Sequence, residues 1–340
     1  MSNLTIALFY EHPEWYQPLV RELERRDVKV IEIHAGHHSY DPVVSELDFD
    51  LLVNRMSPSS YTRGHGNALF YTQAYLNYVE SLGIPVVNGS RAFALEISKA
   101  QQLVLMERLG VPYPKARVIN HVDQAVAAAD GLQFPVVTKA NVGGSGAGII
   151  LFENEEELAA AAEAGLIDMG VDGTALVQEF LTPADGYIVR VEFLDGEYLY
   201  AIKVESNPAD GFNLCPADVC EVPESAEILP ATNGSGALDA DFCPVEAPAK
   251  RDVQAYRPPP EIIEQVLRMA SAGNLDIGGI EYLVSARDGQ PYFYDINALS
   301  NFVANAPLLI GFDPFVNFAD YLIRRALSAR ESTPVLQTAG

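Results

Sequence analysis

A glycine-rich stretch close behind a lysine is the clearest chemical signal in the sequence. Residues 143–148 read Gly-Gly-Ser-Gly-Ala-Gly, and Lys139 precedes them at the end of an apolar run. Glycines leave backbone N–H groups unobstructed, and a lysine can place a point charge on a phosphate. The stretch is neither a Walker A loop, which ends in Gly-Lys-Ser/Thr, nor the dinucleotide fingerprint, which leads into a helix. It predicts a phosphate cradle; a plain glycine hairpin with a strand-end lysine in solvent is the alternative.

A second signal is a group of oxygen-bearing side chains on two late strands. Asp295 and Asn297 are two residues apart and therefore share one face of a strand, and Glu281 lies on the predicted partner strand. Carboxylate and amide oxygens suit Mg²⁺, especially an ion that also holds phosphate oxygens. The neighbouring residues are apolar, and an unpaired carboxylate in a core is costly. The group predicts a magnesium site, with strand-end acids in solvent as the alternative.

Three further features are less specific by themselves. Lys99, early in a predicted helix, is a second lysine that could place a charge on a phosphate; the alternative is a position on a solvated helix face. The run 178–181, Gln-Glu-Phe-Leu, could offer backbone groups and apolar side chains to an adenine ring. Polar residues follow the third predicted strand at its carboxyl end, where α/β sheets bind ligands, and could contact an acceptor or form an ordinary polar loop: Arg55, Ser57, Ser59 and Ser60.

The elements that must position these residues fall into three parts. Strand and helix patterns alternate over residues 1–95, which predicts a doubly wound α/β domain with a parallel sheet. Residues 96–178 predict a helix and then strands on both sides of the glycines. Residues 179–330 predict two hairpins, turning at Asp195-Gly196 and Asp288-Gly289, and a final helix. Residues 206–260 are rich in proline and acids and predict a long insert, such as a lid or binding loop.

Composition limits the kinds of partner. The 340 residues carry 22 Lys and Arg against 46 Asp and Glu, a net charge of −24, which argues against a nucleic-acid backbone or an anionic membrane as the main partner. No apolar run approaches the length of a membrane span, and no signal peptide is evident. Three cysteines, Cys215, Cys220 and Cys243, are too few for a disulfide framework; they could bind metal, line a pocket or simply pack. We expect a cytoplasmic protein.

Taken together and in this order, the motifs resemble the ATP-grasp superfamily, and most closely its RimK-type amino-acid ligases. The resemblance runs from Leu4 to about Leu327 and implies an N-terminal pre-ATP-grasp domain followed by a two-lobed ATP-grasp fold. It implies that the ATP phosphates are held by two lysines and the loop: Lys99, Lys139, Gly143, Gly144, Ser145 and Gly146. It implies that adenine and ribose contact one further segment: Gln178, Glu179, Phe180, Leu181 and Asp185.

The resemblance also implies a metal site and a reaction. Glu281, Asp295 and Asn297 would bind two Mg²⁺ ions, for which Mn²⁺ may substitute. Arg190, Lys203 and Asn213 would stabilise the transferring phosphoryl group. The implied activity joins a carboxylate to an amine through an acyl phosphate, with small molecules or peptides as substrates and a possible homodimer as the assembly.

One segment departs from the family's pattern. After Asn297 the chain reads Ala-Leu-Ser-Asn-Phe over residues 298–302 instead of a Ser-Pro-Gly-like run, so glutamate is not carried over as the substrate. A nucleotide-binding regulator without ligase chemistry, or a phosphotransferase acting on another acceptor, stays open. Because cations are few, the ligase interpretation requires four of them to converge on one cleft: Lys99, Lys139, Arg190 and Lys203.

Overall fold

The N-terminal part forms the predicted parallel α/β sheet. The computed structural model describes residues 4–144, 146–206, 212 and 251–332. Alternating apolar runs form four parallel strands in the order β2-β1-β3-β4. They are β1 (Thr5–Tyr10), β2 (Lys29–His34), β3 (Leu51–Arg55) and β4 (Val86–Val87), connected in part by helices α1 (Gln17–Glu24) and α2 (Gly66–Ser81).

The middle part holds the glycine stretch between two strands, as predicted. The sequence predicts one continuous helix over residues 90–109, which Gly110 ends, but the structure has two helices there. Ser98 is extended, and its Oγ caps the second helix by accepting a hydrogen bond from the Gln101 N–H. The antiparallel sheet has the order β5-β8-β6-β7. The elements are α3 (Ser90–Glu96), α4 (Lys99–Leu109), β5 (Ala116–Ile119), α5 (Ala125–Ala129), β6 (Val136–Ala140), β7 (Ile150–Phe152), α6 (Glu155–Glu163) and β8 (Ala175–Glu179).

The last part is an antiparallel sheet built from the two predicted hairpins and one further strand, in the order β11-β10-β9-β12-β13. Its elements are β9 (Tyr187–Leu194), β10 (Glu197–Glu205), β11 (Val253–Tyr256), α7 (Pro260–Gly273), β12 (Ile277–Val284), β13 (Pro291–Asn297), α8 (Ala306–Leu309) and α9 (Pro314–Ser332). No helix in the described ranges is long and apolar enough to cross a bilayer.

The first sheet is covered on both faces, one of them by the C-terminal helix. In β1, Ala7 and Phe9 pack toward α2, while Ile6 and Leu8 join a core that contains Phe318 of α9. That second core continues into the large sheet through residues of β9 and β10. The sheets begin and end close to the predicted limits, and on this ground we propose domain boundaries near residues 95 and 178; α9, which was assigned to the last domain, packs on the first.

A single asparagine joins the first sheet to the large one. Asn88, 1% exposed, directly follows β4. Its side-chain amide donates to the carbonyls of Ile277 and Ala298, and its Oδ1 accepts from the Asp276 N–H at 2.8 Å. Its φ of +50° is a left-handed conformation, which asparagine tolerates better than most residues. The contact fixes β12 and the segment after β13 against the first domain.

We expect Asn88→Ala to lower the free energy of unfolding by about 3 kcal/mol, because several buried groups lose their partners at once. Asn88→Gly relieves the left-handed backbone but still lacks the amide, so it should remain destabilised. Asn77→Ala, at an exposed position of α2, is the control and should change stability little. Urea unfolding followed by circular dichroism measures all three; equal stability of Asn88→Ala and Asn77→Ala would contradict the assignment.

Candidate active site

One cleft lies between the glycine loop, the large sheet and the end of the first domain. Residues of the second and third sheets line it, together with first-domain residues outside the strands, Trp15 and 57–59. It brings together most of the residues singled out in the sequence: Lys99, Lys139, Gly143, Gly144, Gly146, Gln178, Glu179, Phe180, Leu181, Arg190, Glu281, Asp295 and Asn297. These side chains are up to 198 positions apart in sequence, from Lys99 to Asn297, so tertiary structure alone unites them.

Strand register places the charged residues of the large sheet in one row. Arg190 of β9 lies opposite Glu281 of β12, which in turn lies opposite Asp295 of β13. The register shifts after Glu281, so that Tyr294 is left without a partner in the ladder. Such a bulge reorients neighbouring side chains and is common beside active sites. Two residues before Glu281 on β12, Gly279 lies between Glu192 of β9 and Asn297 of β13, which form the next row on the same face of the sheet.

The row is held by buried ion pairs. Arg190 donates from Nε to Glu192 Oε1 at 2.6 Å and from a terminal nitrogen to Glu281 Oε1 at 3.0 Å. Lys99, at the first turn of α4, donates to Asp295 Oδ1 at 2.6 Å. Burial opposes the charge on Asp295, but Lys99 and Lys139 outweigh it and hold the pKa of that carboxyl below its usual range. Burial raises the pKa of Glu281 even though Arg190 opposes the shift.

Lys139 differs from the other cations of the cleft because no ion pair with a described residue neutralises it. It is buried on β6, immediately before the glycine loop. Burial and the nearby Lys99 lower the pKa of Lys139 to about 7. An anion bound beside it would relieve both effects, since it would supply the missing opposite charge.

The predicted adenine segment also lines the cleft. Gln178, Glu179, Phe180 and Leu181 all contribute to the wall, and the Gln178 Oε1 atom is buried without a hydrogen-bond partner in the structure. The Glu179 carboxylate accepts from Arg287 at 2.6 Å and from the Gln133 N–H at 3.0 Å. That carboxylate is therefore structural, which leaves backbone groups and the side chains of Phe180 and Leu181 to face a ligand.

The required convergence of four cations is met by three, Lys99, Lys139 and Arg190, and the prediction is wrong for Lys203. It lies on β10 directly opposite Val189 of β9, and the two side chains are on the same face of the sheet. Arg190 is the next residue of β9, so its side chain is on the other face. There it pairs with Asp185 at 2.5 Å and sits 4.8 Å from the centre of the Tyr256 ring. Neither Lys203 nor Asp185 is among the residues that line the cleft.

Some predicted positions lie outside the described residues. These are Ser145, Asn213, Cys215, Cys220, Cys243 and most of the 206–260 insert.

Sequence reasoning missed two acidic residues of the cleft. Glu192 is two residues after Arg190 on β9, so alternation along the strand would have placed both on one face. Glu96 is buried at the end of α3, where it accepts a hydrogen bond from the Ala298 N–H, and burial raises its pKa to about 7. No local pattern marked Glu96, because its partner is 202 residues away.

The remaining wall of the cleft, here called the acceptor wall, combines the first domain with the segment that follows β13. It consists of Trp15, Ser57, Pro58, Ser59, Leu299, Asn301 and Phe302. Arg55 is buried behind this wall and donates to the Ser300 carbonyl and to Asn301 Oδ1. Of the polar residues suggested after the third strand, Ser57 and Ser59 therefore line the cleft, whereas Arg55 supports it and Ser60 is buried.

Comparison with known proteins agrees with this geometry. Residues 97–220 match the model of the RimK-like ATP-grasp domain. Residues 97–220 are therefore similar to a RimK-like ATP-grasp domain. Over 221 residues, 61% of this chain and 70% of the relative, it is 26% identical to a probable alpha-L-glutamate ligase 2 of Shewanella frigidimarina. The resemblance inferred from the motifs is confirmed.

Solved structures extend the likeness beyond the matched domain. A D-cycloserine synthetase superposes with a TM-score of 0.66 at 16% identity, covering 95% of this chain and 99% of that one. A D-alanine–D-alanine ligase from Bacillus anthracis, solved with ATP, gives a TM-score of 0.62 at 16% identity over 97% of this chain and 99% of its own. The ATP-grasp fold therefore extends over nearly the whole chain, as predicted.

We expect Gly279→Ala to strain the position of Arg190. A Cβ atom at this position would lie 2.5 Å from a terminal nitrogen of the Arg190 guanidinium, which is pinned by two carboxylates and cannot move freely. Overpacking of this kind costs about 1–3 kcal/mol. A double-mutant cycle with Arg190→Lys, measured by urea unfolding, tests the cause: the cost of the added methyl group should shrink in the lysine background. An unchanged cost would mean that Arg190 is not what Gly279 accommodates.

Proposed function

We propose that this ATP-grasp protein is an ATP- and Mg²⁺-dependent ligase that joins a carboxylate to an amine and releases ADP and phosphate. The observation that carries the proposal is the convergence of Lys99, Lys139 and Arg190 with two carboxylates and an amide beside a glycine loop. The relatives named as glutamate ligases and the fold shared with peptide and amino-acid ligases support the same class of reaction.

The donor set of the cleft fits a magnesium ion that is shared with phosphates. Glu281, Asp295 and Asn297 supply oxygen atoms from neighbouring strands. No group of three His, Cys, Asp or Glu side chains in the described ranges is arranged to hold a metal alone. Mg²⁺ is commonly bound by one or two carboxylates together with substrate phosphates. Two carboxylates and one amide therefore suffice when phosphate oxygens supply further ligands. We propose that two ions bind here and that Mn²⁺ can substitute.

Each residue of the cleft can be given a role from its position. Lys99 and Lys139 hold the phosphates, and the glycines 143, 144 and 146 approach them with backbone N–H groups. Arg190 faces the reacting phosphoryl group, where a fixed cation stabilises charge as it develops. Bound ATP supplies the phosphoryl group that turns the substrate carboxylate into an acyl phosphate with a good leaving group. The loop and the acceptor wall exclude water that would hydrolyse it.

Hydroxylamine provides a test that needs no knowledge of the natural amine, because it converts an acyl phosphate to a hydroxamate, which is detected by the colour of its iron(III) complex. We expect hydroxamate and ADP to form with some member of a panel of amino acids, peptides and small acids in the presence of Mg-ATP. A nucleotide-binding regulator would bind ATP and release no ADP across the panel. A phosphotransferase acting on another acceptor would give ADP and a stable phosphorylated product without hydroxamate.

We expect Asp295→Asn to lower ADP formation by about a hundredfold or more, because it removes one charge from the metal set and from the partner of Lys99. Asp288→Asn is the matched control: it lies in the exposed turn of the same β12–β13 hairpin and should retain activity. A coupled assay of ADP release measures both. Activity of Asp295→Asn near that of the control would refute the metal assignment.

Nucleotide binding should take up a proton at Lys139. Its pKa of about 7 leaves it mostly neutral at pH 8, and a bound phosphate favours the protonated form. The affinity for ATP should therefore fall as the pH rises from 7 to 9. Calorimetric titration at pH 8 in two buffers of different ionisation enthalpy measures the uptake. Lys139→Arg keeps the charge at every pH and should abolish the uptake; equal uptake in this variant would assign the proton to another group.

A further inference from the structure

One carboxylate oxygen of the cleft is buried without a hydrogen-bond partner. Glu192 is 1% exposed and lines the cleft, and Arg190 occupies its Oε1 atom. Its other oxygen, Oε2, is buried and accepts no hydrogen bond in the structure. A buried carboxylate oxygen without a donor is costly, so the site is incomplete until a donor arrives.

The position of Glu192 suits the attacking partner of the reaction. It lies two residues from Arg190 on the same face of β9, which places it about 7 Å along the strand from the row of Arg190, Glu281 and Asp295. Its own row contains Asn297, which leads directly into residues 299–302 of the acceptor wall. A group held by Oε2 is therefore one row from the reacting centre, at the end of β13 where the acceptor wall begins.

The acceptor wall offers little to a second carboxylate. Among described residues, the cations that line the cleft are Lys99, Lys139 and Arg190. The first two face the phosphates, and Arg190 is shared by two carboxylates. Two arginines lie behind the wall and do not line the cleft. Arg55 donates to the Ser300 carbonyl and to Asn301 Oδ1, although its Nε has no partner in the structure. Arg63 is held by Glu11 and lies 5.2 Å from the Trp15 ring centre. Outside the described ranges the sequence contains a single basic residue, Lys250.

The same wall favours a ligand that has an apolar body and a polar end. Trp15, Leu299 and Phe302 contribute apolar surface. The Trp15 ring is held by His12, which stacks on it at 4.3 Å, and by the Arg63 guanidinium at 5.2 Å. A cleft that offers both apolar surface and an unpartnered carboxylate oxygen suits an organic ammonium group, whose carbon skeleton packs on the first while an N–H donates to the second.

We infer that Glu192 binds the amino group of the amine substrate, and that this substrate is a cationic amine without a second carboxylate. The inference rests on the proposed function only because it calls the bound amine a substrate; the binding of an ammonium group by Glu192 does not depend on it. The ammonium donates to Oε2, while the apolar part lies against Trp15 and Phe302. Glutamate, the amine implied by the names of the relatives, is a poor fit to this wall.

A binding experiment tests the inference independently of turnover. Calorimetric titration of the protein with Mg-ADP present uses three probes: L-leucinamide, its uncharged analogue N-acetyl-L-leucinamide, and L-glutamate. We expect L-leucinamide to bind at least about tenfold more tightly than either of the others, the scale of one charge-assisted hydrogen bond. Failure of L-leucinamide to bind, or tighter binding of L-glutamate, would overturn the inference.

Two variants separate Glu192 from a general effect of charge. Glu192→Gln still accepts the Arg190 hydrogen bond but should bind L-leucinamide at least about tenfold more weakly. Glu197→Gln, at an exposed position of the adjoining strand β10, makes the same change in net charge and should bind as the unmodified protein does. Equal affinities in the two variants would show that Glu192 does not contact the amine.

Turnover distinguishes this inference from the proposed function. Hydroxylamine is largely uncharged at neutral pH, so Glu192→Gln should raise the KM for a cationic amine by at least about tenfold more than it lowers the rate of hydroxamate formation. A parallel loss of both reactions would mean that Glu192 acts only through Arg190, and the inference would fail. Absence of hydroxamate and ADP in the unmodified protein, together with Glu192-dependent binding of L-leucinamide, would refute the ligase proposal and leave the amine site standing.

Discussion

The structure of the cleft depends on burying several charges side by side without leaving them unpaired. Arg190 lies between Glu192 and Glu281, and Lys99 faces Asp295, all within hydrogen-bond distance. Ion pairs of this kind add little net stability, because desolvation offsets much of their attraction. Removing one partner is strongly destabilising, because it leaves the other charge buried and unpaired. They act mainly as constraints on geometry. The strands β9, β12 and β13 can hold this row in one register only, and a shift by one residue would move every charge to the other face.

The first domain is part of the same constraint. Asn88 ties its last strand to β12, and Arg55 holds the segment after Asn297 from behind. The acceptor wall is therefore built from the first domain and from the continuation of β13. A change in either element alters the space available to the acceptor while the phosphate end, fixed by β6 and α4, stays in place. This separation explains how one fold accommodates different substrates, since function resides in sites carried by the fold.

Sequence reasoning succeeded where the signal was local and failed where it was not. The alternation of apolar residues located nearly every strand of the large sheet, and the hairpin turns paired Glu281 with Asp295 correctly. Lys203 was misplaced because its face depends on the register of β9 with β10, which sequence pattern does not reveal. Glu192 could have been predicted, because alternation along β9 places it on the same face as Arg190, just as it places Asp295 and Asn297 on one face of β13. Trp15 and Glu96 reach the cleft through loops and distant packing, for which no periodic signal exists.

The net charge of −24 and an anion-binding cleft are compatible because the two act over different distances. At physiological ionic strength the Debye length is about 8 Å, so most surface carboxylates are screened from a buried phosphate site. Inside the cleft screening is weak, and the local balance decides the outcome. Arg190 and Lys99 are matched by carboxylates, whereas Lys139 has no ion-pair partner among the described residues and Glu192 keeps one free oxygen. One position thus lacks an anion and another lacks a donor, which is the complementarity expected of a site that brings a phosphate and an amine together.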